Sequence, residues 1–351
     1  MNYLDNDFRR IEHCLLLKGK PDRVPLWELW VDPAVQGAFI GREIQSAADV
    51  AEFWISAGYD HVPVSAGMIA VGGVGSGDAT QIAQHTYSVY SDEAQDMKWA
   101  AEHEGVITSH EELDAYAWPS VDDLDLSHLE EIGQCLPDHM KVICITGKIY
   151  TSVWMLMGYE TMVFALREQP DLVARMFEKV GPLQIEISKR AAQLDCVGAV
   201  WMSDDIAYTE SLLVRPEVLR EHLFPWYREL GSFMADLGKP YIYHSDGRLW
   251  EVLPDILDCG FNALHPIEPK AMDSRELKKA IGDRLCLLGN IELDTLSRGT
   301  PEQVRELVRR NIEDLASDGG YCPGSSNSVT NYVPLENYKA MIEATREFGG
   351  W

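Results

Sequence analysis

Short hydrophobic runs along the chain alternate with segments in which apolar residues recur every three or four positions. The runs are typical of buried strands, and the recurring pattern is typical of helices that bury one face. Strand candidates lie near residues 26, 62, 143, 200, 242, 263, 286 and 321, and the clearest are Lys141–Thr146 and Gly198–Met202. Eight strands that alternate with helices predict an α/β fold, a closed (β/α)8 TIM barrel.

The helices are predicted from their capping residues and their periodicity. Ser46 is predicted to cap a helix that contains Phe53 and Ile55, and the run from Thr300 to Gln303 (TPEQ) forms a capping box with proline in the first turn. Further helices are predicted at Thr151–Leu166, Asp171–Leu194, Pro216–Leu237 and Pro334–Phe348. The first strand is predicted at Val24–Trp30 (VPLWELW).

The strand spacing predicts one domain, residues 1–351, with two additions. Residues 1–20 are predicted to form an N-terminal helical extension, and residues 65–140 form an insertion after strand 2, because they are too long for one connection. Within the insertion, Gln81–Ser91 alternates polar and apolar residues, which predicts a hairpin. An open doubly wound sheet is the alternative fold. Its phosphate-binding turn is not supported, because the glycine-rich stretch Gly72–Gly77 has no clear strand before it and no clear helix after it.

Composition narrows the classes of function. The chain has 30 Lys and Arg against 56 Asp and Glu, a formal net charge of −26, which disfavours nucleic acid and anionic membrane surfaces as partners. No apolar run approaches the ~20 residues that span a membrane, and the N-terminus lacks the pattern of a signal peptide. The seven cysteines are scattered without a C-x-x-C pair, so we expect no disulfide framework and a cytoplasmic location.

Polar residues cluster next to the predicted strands. In a barrel of this kind the chemistry gathers at the carboxyl ends of the strands. The residues that we expect near this end, in chain order, are Trp27, Glu28, Trp30, Asp60, Tyr150, Asp204, Asp205, His244, Asp246, His265, Glu268 and Asn327. Glu28 lies between two tryptophans, so we predict that its carboxyl group has a raised pKa or a buried partner. Asp204 and Asp205 either cap a helix or bind substrate.

His244 is the sharpest candidate for chemistry, because it follows the apolar run Tyr-Ile-Tyr directly. Three roles stay open for it: a metal ligand, a general acid, or a structural histidine. Asp246 lies two residues further on, and His265 and Glu268 follow the next strand. A set of His, Asp and Glu suits Zn²⁺ with one open coordination position, and it equally suits acid–base chemistry without a metal.

Six stretches of the chain resemble the uroporphyrinogen decarboxylase superfamily, which includes cobalamin-dependent methyltransferases of one-carbon metabolism. They are Arg10–Pro25, Ser203–Pro216, His244–Gly247, His265–Pro269, Gly289–Glu292 and Gly320–Asn337. The resemblance implies a TIM barrel with its site at the carboxyl ends of the strands. It also implies that Asp60, which matches the position of the family's catalytic aspartate, belongs to the site.

The chain departs from two branches of this superfamily. The decarboxylases hold a polyanionic substrate with an arginine-bearing loop after strand 1. Here the corresponding residues 31–37 contain no arginine, and the first arginine after them is Arg42. The zinc methyltransferases use His-x-Cys and a later Cys. Here His244 matches the histidine, Asp246 stands at the first cysteine position and Ser325 roughly at the second, so thiolate ligation is not supported.

We therefore predict a methyltransferase that moves a methyl group between a small methylated compound (methoxy-aromatic, methylamine or methyl-thiol) and a corrinoid (cobalamin) carried by a separate protein. O-demethylation is the activity to which these departures point. Asp60, His244 and Asp246 are predicted to be catalytic, and zinc, if bound, to be held by His244, Asp246 and Glu268. The substrate contacts are predicted to be Trp27, Glu28, Trp30, Tyr150, Asp204, Asp205, His265 and Asn327. The alternatives are a metal-free decarboxylase or lyase and a non-catalytic binding protein. The sequence leaves the oligomeric state open, with a homodimer as one option because such barrels often associate.

Overall fold

The structure is a computed structural model that describes residues 5–66, 80–87, 94–100 and 105–350. Within these residues seven strands pair in parallel as one sheet, and two more form a separate antiparallel hairpin. In chain order the strands are β1 (His61–Ser65), β2 (Thr80–Tyr87), β3 (Ala94–Ala100), β4 (Lys141–Thr146), β5 (Val197–Ser203), β6 (Tyr241–His244), β7 (Ala263–His265), β8 (Cys286–Ile291) and β9 (Tyr321–Ser325). The sheet order is β1-β4-β5-β6-β7-β8-β9, and β2 pairs with β3.

Both faces of the parallel sheet are buried, which explains why its strands are continuous apolar runs. On β5, Ala199 and Trp201 belong to a cluster on the inner face. Val200 and Met202, which alternate with them, belong to the larger cluster that packs under the helices. The strand period of two residues therefore divides the core into an inner and an outer layer.

Helices cover the outer face of the sheet. They are α1 (Phe8–Leu15), α2 (Pro33–Ile40), α3 (Ala47–Ala57), α4 (His110–Ala115), α5 (Ser127–Cys135), α6 (Ile149–Met157), α7 (Tyr159–Glu168), α8 (Pro170–Ala192), α9 (Pro216–His222), α10 (Phe224–Leu237), α11 (Leu253–Asp258), α12 (Ser274–Ile281), α13 (Leu293–Arg298), α14 (Pro301–Leu315) and α15 (Leu335–Gly349), with 3-10 turns at Val121–Asp123 and Trp250–Val252. The predicted caps are confirmed: the Ser46 hydroxyl accepts from the Asp49 amide, and Thr300 and Gln303 form the capping box.

Two predicted helices are each broken into two, and the local residues explain why. The helix predicted at Thr151–Leu166 is interrupted at Gly158, whose φ of 77° leaves the right-handed helical region. The helix predicted at Pro216–Leu237 is interrupted at Leu223. Pro225 has no amide hydrogen to donate to the preceding turn, so the helix restarts at that point.

The prediction of a strand at Val24–Trp30 is wrong, because this segment does not join the parallel sheet. The described residues therefore form a seven-stranded parallel sheet in place of the predicted closed eight-stranded barrel. The segment is extended and runs beside β9, where the Trp27 amide donates to the Pro323 carbonyl at 3.0 Å. Pro25 removes one donor from any ladder. Gly324 allows the approach, since a Cβ at this position would lie 1.8 Å from the Trp27 carbonyl oxygen.

The amino ends of the parallel strands are closed by the N-terminal extension, which is confirmed as a helix at α1. Phe8, Ile11, Cys14 and Leu15 of this helix pack into the inner-face cluster. We call this end of the sheet the floor and the carboxyl ends of the strands the mouth. In the predicted insertion, β2 and β3 form an antiparallel hairpin, but the stretch Gln81–Ser91 supplies only its first strand, and Gly72–Gly77 lies outside the described residues. Among the helices that are described, none has the length and apolarity needed to cross a membrane.

Candidate functional site

The register of β5, β6 and β7 assembles a polar cluster at the mouth. Ser203 pairs with His244 across β5 and β6, and His244 pairs with His265 across β6 and β7. Asp205 and Asp246 each lie two residues beyond the paired positions, so the register brings them together. The Asp246 amide donates to Asp205 Oδ1 at 2.8 Å, which fixes the two loops to each other.

His244 is held on both ring nitrogens. Its Nδ1 is 2.7 Å from Nδ1 of His265, and its Nε2 lies 3.4 Å from Asp205 Oδ1 and 4.0 Å from Asp246 Oδ1. The imidazole is only 4% exposed, whereas Asp205 is half exposed. The ring therefore has one fixed orientation, with Nε2 directed at two carboxylates near the surface.

The surroundings shift the pKa values of the two histidines in opposite directions. Burial and the charge of His244 hold the pKa of His265 well below its usual range. For His244, burial lowers the pKa, but the hydrogen bond and charge of Asp205 outweigh burial and raise it. We therefore assign His244 Nδ1–H as the donor and neutral His265 as the acceptor, which keeps a proton or a cation at His244 Nε2.

Asp246 presents an open oxygen to this cluster. Its Oδ2 accepts from Asn327 Nδ2 at 2.8 Å, while its Oδ1 is buried and finds no hydrogen-bond partner among the residues that the structure describes. Burial raises the pKa of this carboxyl group to about 6. Ligand atoms of Asp205, His244 and Asp246 all lie within 4.8 Å of one another. The orphaned oxygen and the N,O,O donor set fit a zinc ion.

The predicted metal ligands were His244, Asp246 and Glu268, but the structure groups Asp205, instead of Glu268, with the other two. The Glu268 carboxylate accepts from the Gly247 amide at 3.2 Å and from the Thr209 hydroxyl at 3.4 Å, and it is outside the three-residue group of possible ligands. Asp205, predicted to bind substrate, takes that place. The signal for Asp205 was its offset from β5, but only the strand register shows that this offset matches that of Asp246.

A cavity of about 320 Å³ opens beside the cluster and is lined by Asp246 and Asn327. Its other charged lining residues are Glu268, Glu292, Asp294 and Lys270. Four carboxylates against one ammonium group give the cavity a negative potential. Such a lining favours a neutral or cationic ligand and opposes an anion.

Asp204 acts on the scaffold. It accepts from the amides of Tyr150 and Thr151 at 2.7 and 2.8 Å and from the Tyr227 hydroxyl at 2.8 Å. Of the two roles considered for it, the structure therefore favours the helix cap, at the start of α6. Tyr150 is buried beside it, and its hydroxyl has no partner among the described residues.

Glu28, Trp27 and Trp30 lie on the extended segment and have three different environments. Glu28 is fully buried and accepts from the Ser325 amide at 2.7 Å and the Ser325 hydroxyl at 2.6 Å. Burial raises its pKa to about 8 against those bonds, in agreement with the prediction of a raised pKa. Trp27 packs within the inner-face cluster, 4.6 Å from Trp201 between ring centroids. Trp30 is 43% exposed.

Asp60 lies at the floor, because it precedes β1 instead of following it. Its carboxylate accepts from Arg10 Nη1 at 2.5 Å and from the Asp7 amide at 2.8 Å. Parallel strands place their first and last residues at opposite ends of a sheet, about 3.3 Å per residue apart. The structure therefore does not bring Asp60 together with His244. Its partner Arg10 was missed by the sequence reasoning, which placed α1 but not its contacts.

Comparison with known proteins identifies similar sequences. Residues 104–348 match the profile of the family described as Uroporphyrinogen decarboxylase (URO-D). The methylcobamide:CoM methyltransferase MtaA of Methanosarcina barkeri is 29% identical over 170 residues, which are 47% of this chain and 48% of that protein. The chain thus aligns with about half the length of this curated relative. A uroporphyrinogen decarboxylase of Pseudoalteromonas translucida is 33% identical over 73 residues, 21% of this chain and 20% of that protein.

A solved structure is similar over nearly the whole chain. It is a methyltransferase from Methanosarcina mazei, with a TM-score of 0.74 and 18% sequence identity, and the match covers 97% of this chain and 98% of that one. At this identity the likeness establishes a common fold. It includes the sheet whose carboxyl ends form the mouth.

Proposed function

The chain belongs to the uroporphyrinogen decarboxylase family, since the family profile covers more than two thirds of its length, and from this premise we propose that it is a methyltransferase. It moves a methyl group between a small methylated compound and a corrinoid carried by a separate protein. The observation that carries the proposal is His244, buried with Nδ1 on His265 and Nε2 facing Asp205 and Asp246. The similarity of this chain to a methylcobamide:CoM methyltransferase supports the reaction class.

The residues at the mouth supply what the departing heteroatom of a methyl donor needs. A carbon–oxygen or carbon–nitrogen bond breaks more easily when the heteroatom is protonated or polarised. His244 holds a proton at Nε2 under the influence of Asp205, and His265 fixes the ring. A zinc ion held by Asp205, His244 and Asp246 would supply Lewis acidity at the same position. The corrinoid supplies the methyl-accepting nucleophile.

The substrate class follows from the charge and the ligand types at the mouth. Asp246 and Ser325 occupy the positions at which related zinc enzymes place cysteines, so soft ligation of a thiol donor is not supported. The cavity beside Asp246 carries four carboxylates. A neutral or cationic donor, such as a methoxy-aromatic compound or a methylated amine, fits this lining better than an anionic donor does. O-demethylation is therefore the activity that we propose first.

The proposed reaction belongs in a reducing compartment. All seven cysteines are free thiols in the structure, which agrees with the cytoplasm as the proposed location. The corrinoid protein is proposed as a separate partner because the sequence offers no corrinoid-binding motif of its own.

The test is methyl transfer to free cob(I)alamin, followed by absorbance. Purified protein is incubated with a methoxy-aromatic donor, a methylated amine or a methyl thiol, and we expect methylcobalamin with one of the first two. Replacing His244 with alanine should lower the rate at least about a hundredfold. The control is His139→Ala, an exposed histidine in the turn before β4 at the floor, which should retain the wild-type rate. Absence of transfer from every donor would contradict the proposal.

A decarboxylase is the second candidate, favoured by the 73-residue similarity to a uroporphyrinogen decarboxylase. The acidic cavity and the absence of arginine from residues 31–37 oppose a polyanionic substrate. Release of carbon dioxide from a less charged carboxylic acid, dependent on His244 and without any methyl transfer, would favour this candidate over the first.

A further inference from the structure

Three cysteine side chains meet at the floor, far along the strands from His244. Cys14 belongs to α1, Cys286 is the first residue of β8, and Cys322 is the second residue of β9. All three are fully buried. Cys14 lies 272 and 308 residues from Cys286 and Cys322 along the chain, yet its sulfur atom meets theirs.

The sulfur atoms are spaced as ligands of one metal ion would be. The Sγ–Sγ distances are 3.4 Å for Cys14–Cys322, 3.8 Å for Cys14–Cys286 and 4.0 Å for Cys286–Cys322. Tetrahedral zinc with Zn–S bonds of about 2.3 Å separates its sulfurs by about 3.8 Å. A disulfide would require about 2.0 Å. Because sulfur atoms in van der Waals contact have similar spacings, the test has to detect the bound metal and its sulfur ligands directly.

A backbone carbonyl lies close to the three sulfur atoms. The Tyr321 carbonyl oxygen is 3.6 Å from Cys14 Sγ, which offers an oxygen donor nearby. The ammonium group of Lys278 bonds to the Gly319 carbonyl at 2.7 Å. Lys278 also pairs with Asp318 at 3.0 Å, so the divalent cation itself supplies the charge that offsets the thiolates.

We propose that Cys14, Cys286 and Cys322 bind one thiophilic divalent metal ion, of which zinc is the biological representative. Soft thiolate donors select such ions over magnesium or calcium. Binding forms three metal–sulfur bonds and releases the thiol protons to solvent. The ion ties α1 to β8 and β9, so its role is structural. It is separate from the mouth, and the proposed methyl transfer does not depend on it.

The experiment is reconstitution of the full-length, fully reduced protein with Co²⁺, and separately with Zn²⁺. Cobalt bound by three thiolates gives intense sulfur-to-metal charge-transfer absorption, which an Asp, His, Asp site at the mouth does not give. We expect this absorption at about one cobalt per chain and its displacement by zinc. It should persist in His244→Ala, which separates the result from the fate of the proposed function.

Cysteine variants locate the ion. We expect zinc to raise the melting temperature of the wild-type protein. Each of the variants Cys14→Ala, Cys286→Ala and Cys322→Ala should lose both this effect and the sulfur-to-cobalt absorption. Cys144→Ala is the matched control, because Cys144 is equally buried but lies on β4 in a different cluster. The proposal is overturned if wild-type protein shows no sulfur-to-cobalt absorption, if Cys144→Ala abolishes it, or if mass spectrometry finds a disulfide among the three residues. The wild-type spectrum decides even where a variant fails to fold.

Discussion

Asp246 at the mouth and Asp60 at the floor have the same pKa and opposite surroundings. Burial raises the pKa of each to about 6. Asp60 faces the Arg10 guanidinium and accepts from the Asp7 amide. Asp246 keeps one buried oxygen without a partner among the described residues, next to a cavity. A shifted pKa thus fails to identify a functional carboxylate here, whereas the open oxygen and the cavity distinguish the mouth.

The two ends differ in what their polar groups stabilise. At the floor, the ion pair of Arg10 and Asp60 joins α1 to the start of β1. At the mouth, ligand atoms of Asp205, His244 and Asp246 lie within 4.8 Å of one another, and Asp246 lines a cavity. We therefore expect substitutions at the floor to change stability and substitutions at the mouth to change turnover.

The largest expected effect is at Arg10. Arg10→Met leaves Asp60 buried with only the more distant Arg23 guanidinium, 3.9 Å away, and breaking a buried ion pair costs about 4 kcal/mol of unfolding free energy. The loss should shrink as the pH falls from 8 to 5, because removing the guanidinium raises the pKa of Asp60 above its wild-type value of about 6 and the carboxyl group then takes up a proton. Urea denaturation at pH 8 and pH 5 measures both quantities.

The control for this variant is Arg9→Met, on the same helix. Arg9 is exposed and pairs with Asp7 near the surface, so we expect little change in stability. Both variants should retain the wild-type kcat wherever they are folded. A lowered kcat in folded Arg10→Met would mean that the floor contributes to the chemistry, and it would restore Asp60 to the site predicted from the resemblance.

The next effect is expected at Glu28, which is buried against Ser325 at the carboxyl end of β9. Its folded pKa of about 8 exceeds the ordinary value of 4.5, so the folded state binds the extra proton. Stability from this group is complete below pH 4.5, falls as the pH rises, and is lost above pH 8. At about 1.4 kcal/mol per pKa unit the loss reaches about 3 kcal/mol by pH 7.

Glu28→Gln tests this prediction, because glutamine mimics the protonated acid toward Ser325. The variant should match the wild type at pH 4.5 and become progressively more stable than it up to pH 8, in urea denaturation at each pH. Glu43→Gln, at an exposed glutamate, should not produce that trend. A constant difference across the pH range would show that the carboxyl group is ionised throughout.

The strand positions were predictable because both faces of the sheet are buried. A run such as Lys141–Thr146 has no other way to bury its side chains, and it is β4 in the structure. The caps at Ser46 and Thr300 were predictable because they are local: each depends on a side chain and an amide three residues away. His244 was identified because a polar residue directly after an apolar run marks the end of a strand.

What the sequence left open depends on long-range contacts. Asp60 adjoins a strand as His244 does, and only the direction of β1 places it at the floor. Asp205 becomes a ligand candidate through the register of β5 against β6. The meeting of Cys14 with Cys286 and Cys322 depends on where α1 packs, which no local pattern records. Pairing across the sheet therefore has to be known before residues can be assigned to the mouth.

The smallest expected effect is at Asn327, and it sharpens the comparison from the mouth side. Its amide group donates to Asp246 Oδ2 and leaves Oδ1 directed at His244. Asn327→Ala frees the carboxylate to rotate, and the loss of a hydrogen bond to a charged group, about 1.5 kcal/mol, corresponds to about a tenfold lower kcat. KM and the melting temperature should stay near their wild-type values, because Asn327 is only half-buried.

The matched control for Asn327 is Ser326→Ala in the same loop. The Ser326 hydroxyl accepts from the Leu293 amide at 3.2 Å and has no contact with the carboxylate of Asp246. Its loss should affect stability before it affects kcat. If Asn327→Ala lowers the melting temperature and leaves kcat unchanged, then Asn327 belongs with the groups that stabilise the fold, as Arg10 does. Asp205 and the β6 backbone alone would then orient Asp246, and Asn327 would not be part of the site at the mouth.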